Sequence, residues 1–367
     1  MNDNAKHFGG AIDQLIKGQD LTREQSFDFF TQILEDRQSA IHQGAFLAAI
    51  TAKGPRPAEI AGAWEAIYQL DTVKIQPRTT RLLLDNCGTG MDSFKTFNIS
   101  TAAAIVAAAG GCCLARHGAR AITSGCGTVD LCQALGVDVD CPVETVCESI
   151  QTTGIGLFNG MSPAVHPRAL FRILTQMRFG SILNIAASLA NPARPSLGVR
   201  GVYCSEMVLP VIRTMQAIGF QRALVFHGNG NGVGGMDELS VLGPSQVAEL
   251  SEDGAIAQYQ ISPESMGLQP ASSREIAAGK DVRHEAHRLL TLFSGAPING
   301  LHDAVCLNAA PILYLGNQVA TLRDGVVLAR DIIASGQALA KLTAWVQAQN
   351  RNSQQGQARL QSLLDRI

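Results

Sequence analysis

Four short stretches of the 367-residue chain carry residues whose types and spacing suit a phosphorylated substrate. The first follows the apolar run Leu82-Leu83-Leu84. Cys87-Gly88-Thr89-Gly90 breaks that run with residues that permit a tight turn. Asp92 follows, and then Asn98-Ile99-Ser100-Thr101 stands just before the alanine-rich run 102–109. Capping side chains at a helix start leave main-chain donors and hydroxyls facing outward, where an anion is favoured. A glycine turn alone is a common structural device; its continuation by Asn98, Ser100 and Thr101 favours a phosphate site over a plain cap. The second stretch, Ala115 to Ser124, holds Arg116, His117, Arg120, Thr123 and Ser124. Guanidinium groups fork onto phosphate oxygens, so this is an anion cradle or, with equal standing, a solvated surface loop.

The third stretch runs from Asn159 to Pro167. Pro167 suits a first helical position and would place His166 at the helix mouth, as a cap or as a catalytic group. The fourth is His227-Gly228-Asn229-Gly230, continuing through Gly234 to Met236-Asp237-Glu238-Leu239-Ser240. Two adjacent carboxylates after a glycine-rich loop can hold Mg²⁺ through oxygens and waters, with substrate phosphates completing the shell. A lone acidic pair is usually solvated, but together with phosphate-type loops it describes a site for a magnesium-bound pyrophosphate.

The elements that must position these loops fall into two kinds. Residues 11 to 70 read as helices only, with apolar residues at three- and four-residue intervals such as Phe27, Phe30, Ile33 and Leu34. Thr22 and Gln25 have the spacing of a capping box. From Arg81 strands alternate with helices: strands at 81–86, 111–115, 154–158, 222–227 and 256–260, helices at 101–109, 128–135, 143–152 and 205–218. Two packed helices are expected at 303–315 and 324–345. The stretch 166–201 returns to helical periodicity and would form a hinge if it packs on the N-terminal helices, a place where ligand sites often lie. The expected organisation is therefore α/β: a small helical domain (1–75, joined in space by 166–196), a larger α/β domain with a central sheet flanked by helices (76–346), and a polar tail (347–367), its stretch 347–357 a solvated helix end or disordered. Helical stripes left over from the small domain could serve a dimer surface or only its own core.

Composition narrows the function. With 46% hydrophobic and 16% charged residues the chain can bury a sizeable core. A formal net charge of −2 offers no basic surplus, so nucleic acid is not the expected partner. The N-terminus has no signal-like apolar segment, and no uncharged apolar run reaches the roughly 18 residues of a membrane span, so a cytoplasmic protein is expected. Nine cysteines without CxxC spacing read as reduced, mostly buried thiols.

The motifs GTGMD (88–92), FNIST (97–101), RHGAR (116–120), SPAVHP (162–167), NPA (191–193), GVY (201–203), HG (227–228) and MDELS (236–240) resemble, in this order, those of the anthranilate phosphoribosyltransferase family, whose fold is shared with nucleoside phosphorylases. The likeness runs from residue 13 to residue 342. It implies a homodimer joined through the helical parts and a cleft site between the domains. Phosphoribosyl pyrophosphate would lie near Gly88, Gly90, Asp92, Asn98, Ser100, Thr101 and Arg116, with His117, Ser124 and His166 beside it. Ser100, Asp237 and Glu238 would carry Mg²⁺. No covalent nucleophile is implied: the sugar carbon gains positive charge as pyrophosphate leaves, and neutralising the leaving group is the main device.

Several positions depart from the family pattern. Met91 stands for a glycine, Arg116 for a lysine, Ala119 for an asparagine and Ala187-Ser188 for a glycine-proline pair. On the helix after His166, Gln176 stands where the family places an arginine against the acceptor's carboxylate, while Arg172, one turn earlier, could reach it instead. The expected reaction is phosphoribosyl transfer to an aromatic amine, anthranilate or a related acceptor. The alternatives are a nucleotide- or nucleic-acid-binding protein without turnover, and a nucleoside phosphorylase.

Overall fold

Periodicity and caps in the first seventy residues give four helices: α1 (Asp3–Ile16), α2 (Arg23–Leu34), α3 (Ala40–Lys53) and α4 (Pro57–Leu70). Thr22 and Gln25 close the capping box of α2 reciprocally, at 2.9 and 3.2 Å. The computed structural model describes residues 3–121, 125–177, 179–295 and 297–367. The α/β part follows as β1 (Leu83–Gly88), α5 (Ile99–Ala109), β2 (Cys113–Gly118), α6 (Thr128–Ala134), α7 (Val143–Thr153) and β3 (Ile155–Asn159). Two short helices come next, α8 (Leu170–Gln176) and α9 (Ile182–Leu189), then β4 (Leu197–Gly201), α10 (Val208–Ala217), β5 (Arg222–Asn229), β6 (Gly235–Met236), β7 (Ser245–Leu250) and β8 (Ile256–Ile261). The chain ends in α11 (Ser273–Ile276), α12 (Val282–Phe293), α13 (Gly300–Leu315), α14 (Leu322–Ala334), α15 (Gln337–Ala348) and α16 (Ser353–Leu364).

The sheet order is β3-β2-β1-β4-β5-β7-β8, with β6 on β5; β1 to β5 are parallel and β7 and β8 antiparallel. The chain moves outward from β1 to β3 and then returns to the other side of β1. In open α/β sheets the crevice at such a reversal, beyond the carboxyl ends of the strands, is where ligands bind. Here that point lies between β1 and β4, at Gly88 and Gly201, which are register partners.

One face of the sheet packs α5 and α12 to α15 against Leu84, Leu114, Val199 and Phe226. The other carries α10 and a core shared by α1 to α4 with Leu170, Ile173, Ile182, Leu183, Ala186 and Leu189 of α8 and α9. The indole of Trp64 on α4 donates to the Leu189 carbonyl at 2.9 Å, fixing α9 to the helical part. All nine cysteines are free thiols. Among the described residues no helix is long and apolar enough to cross a membrane.

Three expectations change. Strands β4 and β7 and helix α12 were not anticipated: β4 reads Leu-Gly-Val-Arg-Gly, yet all five residues are buried. The stretch expected as a polar tail, a solvated helix end or disordered, holds the end of α15 and then a further helix, α16, whose Leu360 joins the core. Gln349 within it is fully buried, because its amide accepts from Leu157 N at 2.9 Å and donates to Leu157 O at 2.9 Å. Leu157 sits on the edge strand β3, whose free backbone groups need a partner, and a glutamine amide supplies both halves of one. Pro167 is not the first residue of a helix, since α8 starts at Leu170.

Candidate active site

A cavity of about 430 Å³, within the range of small-molecule sites, opens at the switch point. Its phosphate-type wall is the glycine loop from Gly88 to Asp92 with Lys95; the β2 end contributes His117 and Arg120; α6 contributes Thr128. The opposite wall comes from the helical side, with Leu174, Phe179, Leu183, Asn184, Ala187 and Ser188.

Glycines at the strand ends make the floor possible. A Cβ on Gly201 would lie 1.6 Å from the Asp237 carbonyl, and one on Gly88 would lie 2.5 Å from the Asp237 carboxylate. Without side chains there, the segment after β6 crosses the ends of β1 and β4 and lays Asp237 under the glycine loop. Its carboxylate accepts from Gly90 N at 2.6 Å and from Thr89 Oγ1 at 3.3 Å. Glu238 accepts from Ser100 N at 3.0 Å, at the start of α5. Glu285 on α12 accepts from Asn98 N at 3.0 Å. Two carboxylates thus meet the positive end of α5.

Asp92, Asp237 and Glu238 are all buried, and among the described residues only Asp92 of the three has an ion pair, with Lys95 at 2.9 Å. Burial and then the Asp92 charge push the Asp237 carboxyl up to about 6. Burial and the Asp237 charge raise Glu238 well above the usual carboxylate range. Like charges crowded out of water are the condition a cation relieves. Among the described residues no three His, Cys, Asp or Glu side chains are grouped to hold a metal by themselves. Mg²⁺ does not require that: it usually keeps several waters and takes one or two carboxylates plus substrate phosphates. The oxygen donors here fit such an ion.

The histidines form a second buried cluster. His166 Nε2 and His117 Nε2 are 3.1 Å apart, while His117 Nδ1 faces the Ser188 carbonyl at 3.3 Å and His166 Nδ1 the Asp71 carbonyl at 2.7 Å. A carbonyl can only accept, so a neutral ring that donates from Nδ1 leaves its Nε2 as an acceptor; the Nε2–Nε2 contact is satisfied when one of the two rings carries its proton on Nε2 instead. Burial pushes both imidazoles down, His117 further under the influence of His166. His117 lines the cavity and His166 stands behind it.

Other expected residues lie elsewhere. Arg116 is buried under the loop, not in the cavity lining: it binds Asn86 Oδ1 at 2.9 Å and Thr101 Oγ1 at 3.2 Å, and so ties β1 to α5. Ser124 lies outside the described residues. Arg172 and Gln176 are not in the lining either. Arg172 reaches Asp36 at 3.1 Å and the Ile33 carbonyl at 3.0 Å in the helical part, and Gln176 is exposed. The residue that α8 presents to the cavity is Leu174, about 200° around the helix from both, at roughly 100° per residue. Met91 is in the lining, and its side chain lies against Gly180, where an added Cβ would come within 2.6 Å of Met91 Cε.

Sequence reasoning missed Lys95, Glu285 and Arg200. Arg200 is 3% exposed in the middle of the sheet, with Nη2 at 2.7 Å from Asp85 Oδ2 and 3.0 Å from the Ser188 carbonyl. Ser188 lines the cavity, so Arg200 supports its floor from behind. An arginine inside a short run ending in glycine was the available signal. Cys87 also lines the cavity, but burial pushes its thiol up, away from the thiolate a nucleophile needs.

The sequence pattern of the glycosyl transferase family a/b domain matches residues 80–339, and that of the family's helical bundle domain matches residues 10–70. Anthranilate phosphoribosyltransferase from Myxococcus xanthus is 38% identical over 337 residues, 92% of this chain and 97% of that protein. The chain belongs to the anthranilate phosphoribosyltransferase family. Anthranilate phosphoribosyltransferase from Methanosarcina barkeri is 37% identical over 90% of this chain. Among solved structures, anthranilate phosphoribosyltransferase from Thermus thermophilus superposes with a TM-score of 0.82 at 32% identity, over 92% of this chain and 99% of that one. The Saccharomyces cerevisiae enzyme, solved with PRPP and Mg, shares the fold at 22% identity and a TM-score of 0.80, over 94% of this chain and 98% of that one.

Proposed function

We propose that this family member transfers a phosphoribosyl group from phosphoribosyl pyrophosphate to the nitrogen of an aromatic amine, anthranilate being the first candidate, and releases pyrophosphate. The observation that carries this reading is the buried carboxylate of Asp237 held under the glycine loop at the switch point of the sheet. The amine nitrogen attacks C1 of the sugar, the bond from C1 to the pyrophosphate oxygen breaks, its electron pair leaves with pyrophosphate, and the nitrogen loses a proton. Mg²⁺, held with Asp237 and Glu238, would supply charge for the leaving pyrophosphate.

Around it this chain's own residues have separate tasks. Gly88 and Gly90 bring backbone close to the phosphates, Lys95 adds a cation beside Asp92, and Asn98, Ser100 and Thr101 set the start of α5. Leu174, Phe179, Leu183 and Ala187 offer an apolar wall for the acceptor ring. Nine reduced thiols support a cytoplasmic setting. The helical part exposes Ile16 and Ile41, which supports its use as a homodimer surface, to be checked by light scattering.

Calorimetric titration of phosphoribosyl pyrophosphate with and without Mg²⁺, followed by pyrophosphate release with anthranilate and with aniline, tests the reading. Mg²⁺-dependent binding and release with an amine are expected. Absence of binding under both conditions overturns it, and binding without release for any amine favours the non-catalytic alternative.

A further inference from the structure

A second cavity, of about 1010 Å³, lies away from the cleft between the end of α6, the start of α12 and the last helix, α16. Four arginines line it: Arg283 from α12, Arg351 from the turn before α16, and Arg359 and Arg366 from α16 and its end. Among the described residues the one acidic lining residue is Asp138, held by Arg351 at 2.6 and 3.0 Å. The chain as a whole carries −2, so a local excess of three positive charges is a matter of placement, not of composition. Among the described residues neither Arg283 nor Arg366 makes a side-chain ion pair, and Arg359 donates to the Gln133 carbonyl at 2.9 Å.

The wall that brings two of these arginines is fixed. A Cβ on Gly136, whose φ is +104°, would lie 2.4 Å from the Gly356 carbonyl; one on Gly356 would lie 2.6 Å from the Gly136 carbonyl. Asn350 Nδ2 donates to the same Gly136 carbonyl at 2.7 Å. Two backbones meet there without side chains between them, so α16 has one seat. The family's a/b pattern ends at residue 339, before this helix.

We propose that this cavity binds a phosphate ester of nucleotide size. Guanidinium forks recognise phosphoryl oxygens in pairs, and several uncompensated forks suit a ligand with two or more phosphoryl groups. Val137, Val139, Ala286 and Leu363 would pack its organic body, and the volume is at the upper end of small-ligand sites. The site is connected to the cleft. Gln133 at the end of α6 accepts from Arg120 at 2.8 Å through its side chain and from Arg359 through its carbonyl, and Arg120 and Thr128 line the cleft. On α12, Ala286 lines the second cavity while Glu285 holds Asn98 N. A ligand in the second cavity therefore alters affinity in the first, and the first alters the second to the same extent. This coupling rests on the reading of the cleft given above; the binding does not.

ADP, titrated calorimetrically into the full chain without Mg²⁺ at low salt, is the probe. Binding is expected to weaken at least tenfold in the double variant R283S/R359S, and separately in R366E, with unchanged circular dichroism and melting temperature because these side chains are exposed. No binding to the parent protein, or an affinity in both variants equal to the parent's, overturns the site. Phosphoribosyl pyrophosphate affinity, measured with and without saturating ADP, is expected to differ severalfold in the parent and not in R283S/R359S. Equal affinity in the parent overturns the coupling while leaving the binding result intact.

Discussion

The two walls of the cleft are built by different means. The phosphate-type wall stands on the ends of β1 and β4, where Asp85, Asn86, Arg116, Arg200, Asp237 and Glu238 are all buried and bonded across three or more elements. The acceptor wall stands on α8 and α9, two helices of seven and eight residues whose side chains toward the cavity are mostly apolar. In the first, polar groups fix one another and a change in one leaves its partner buried without relief. In the second, side chains such as Leu174 and Phe179 meet the cavity by shape and not through charge pairs, so substitutions at these two positions alter specificity with little effect on the fold. Chemistry held by a network of charges is costly to modify; shape presented by a short helix is not.

The sharpest way to break that contrast is Arg200→Leu. Among the described residues it leaves Asp85, fully buried, with only the His117 backbone donor at 3.3 Å, and loss of one partner of a buried ion pair costs about 3–5 kcal/mol. Urea denaturation should show a lower midpoint, partly recovered by adding Asp85→Asn, which keeps an acceptor but removes the charge. A midpoint within experimental error of the parent would show that the phosphate wall is not a mutually dependent network.

Asp237→Asn comes next. A raised carboxyl pKa means that the folded protein holds its proton more tightly than the unfolded chain, so the contribution to stability is complete below about 3.8 and is lost as pH rises through about 6. Removing the charge should stabilise the metal-free protein by about 3 kcal/mol at pH 8, since the rise from 3.8 to about 6 is about two units and one unit is about 1.4 kcal/mol, and by little at pH 4. The same variant should lose Mg²⁺-dependent binding of phosphoribosyl pyrophosphate. Thermal melts across pH, with and without Mg²⁺, check both halves; a variant less stable than the parent at pH 8 without metal would contradict the assigned charge crowding.

The same contrast explains what could be read in advance. The glycine loop and the start of α5 were legible as one contiguous stretch at a strand-to-helix transition, and the Asp237-Glu238 pair as adjacent carboxylates directly after a glycine-rich loop, here between β6 and β7. Arg200 was not: β4 carries two glycines and an arginine in five residues, and only burial between β1 and β5 makes it a strand. Arg172 and Gln176 were correctly placed on one helix face, but which face meets the cleft depends on where α8 begins. That is set about a hundred residues earlier in the chain, where Asp71 accepts from the backbone of Arg168, Ala169 and Leu170 at 2.6, 2.9 and 2.7 Å. Gln349 was hidden for a similar reason, since a polar residue in polar text gives no sign that an edge strand needs its amide.

On the acceptor wall the effects should be smaller and selective. Leu174→Arg puts a guanidinium in the apolar wall. The KM for anthranilate should fall about fivefold relative to that for aniline, a difference of about 1 kcal/mol, with the denaturation midpoint nearly unchanged. Equal changes for the two amines would mean that the acceptor's carboxylate does not face α8.

Arg172→Ala is the matching control and the smallest effect. Its guanidinium is spent on Asp36, Gln43 and the Ile33 carbonyl, outside the cavity. Partly exposed ion pairs contribute about 0–1 kcal/mol, so stability should drop by no more than that. The ratio of anthranilate to aniline turnover should stay where it was. If that ratio collapses instead, Arg172 leaves the helical part when acceptor binds and α8 turns its other face to the cleft, and the acceptor wall is then a moving element and not a fixed surface.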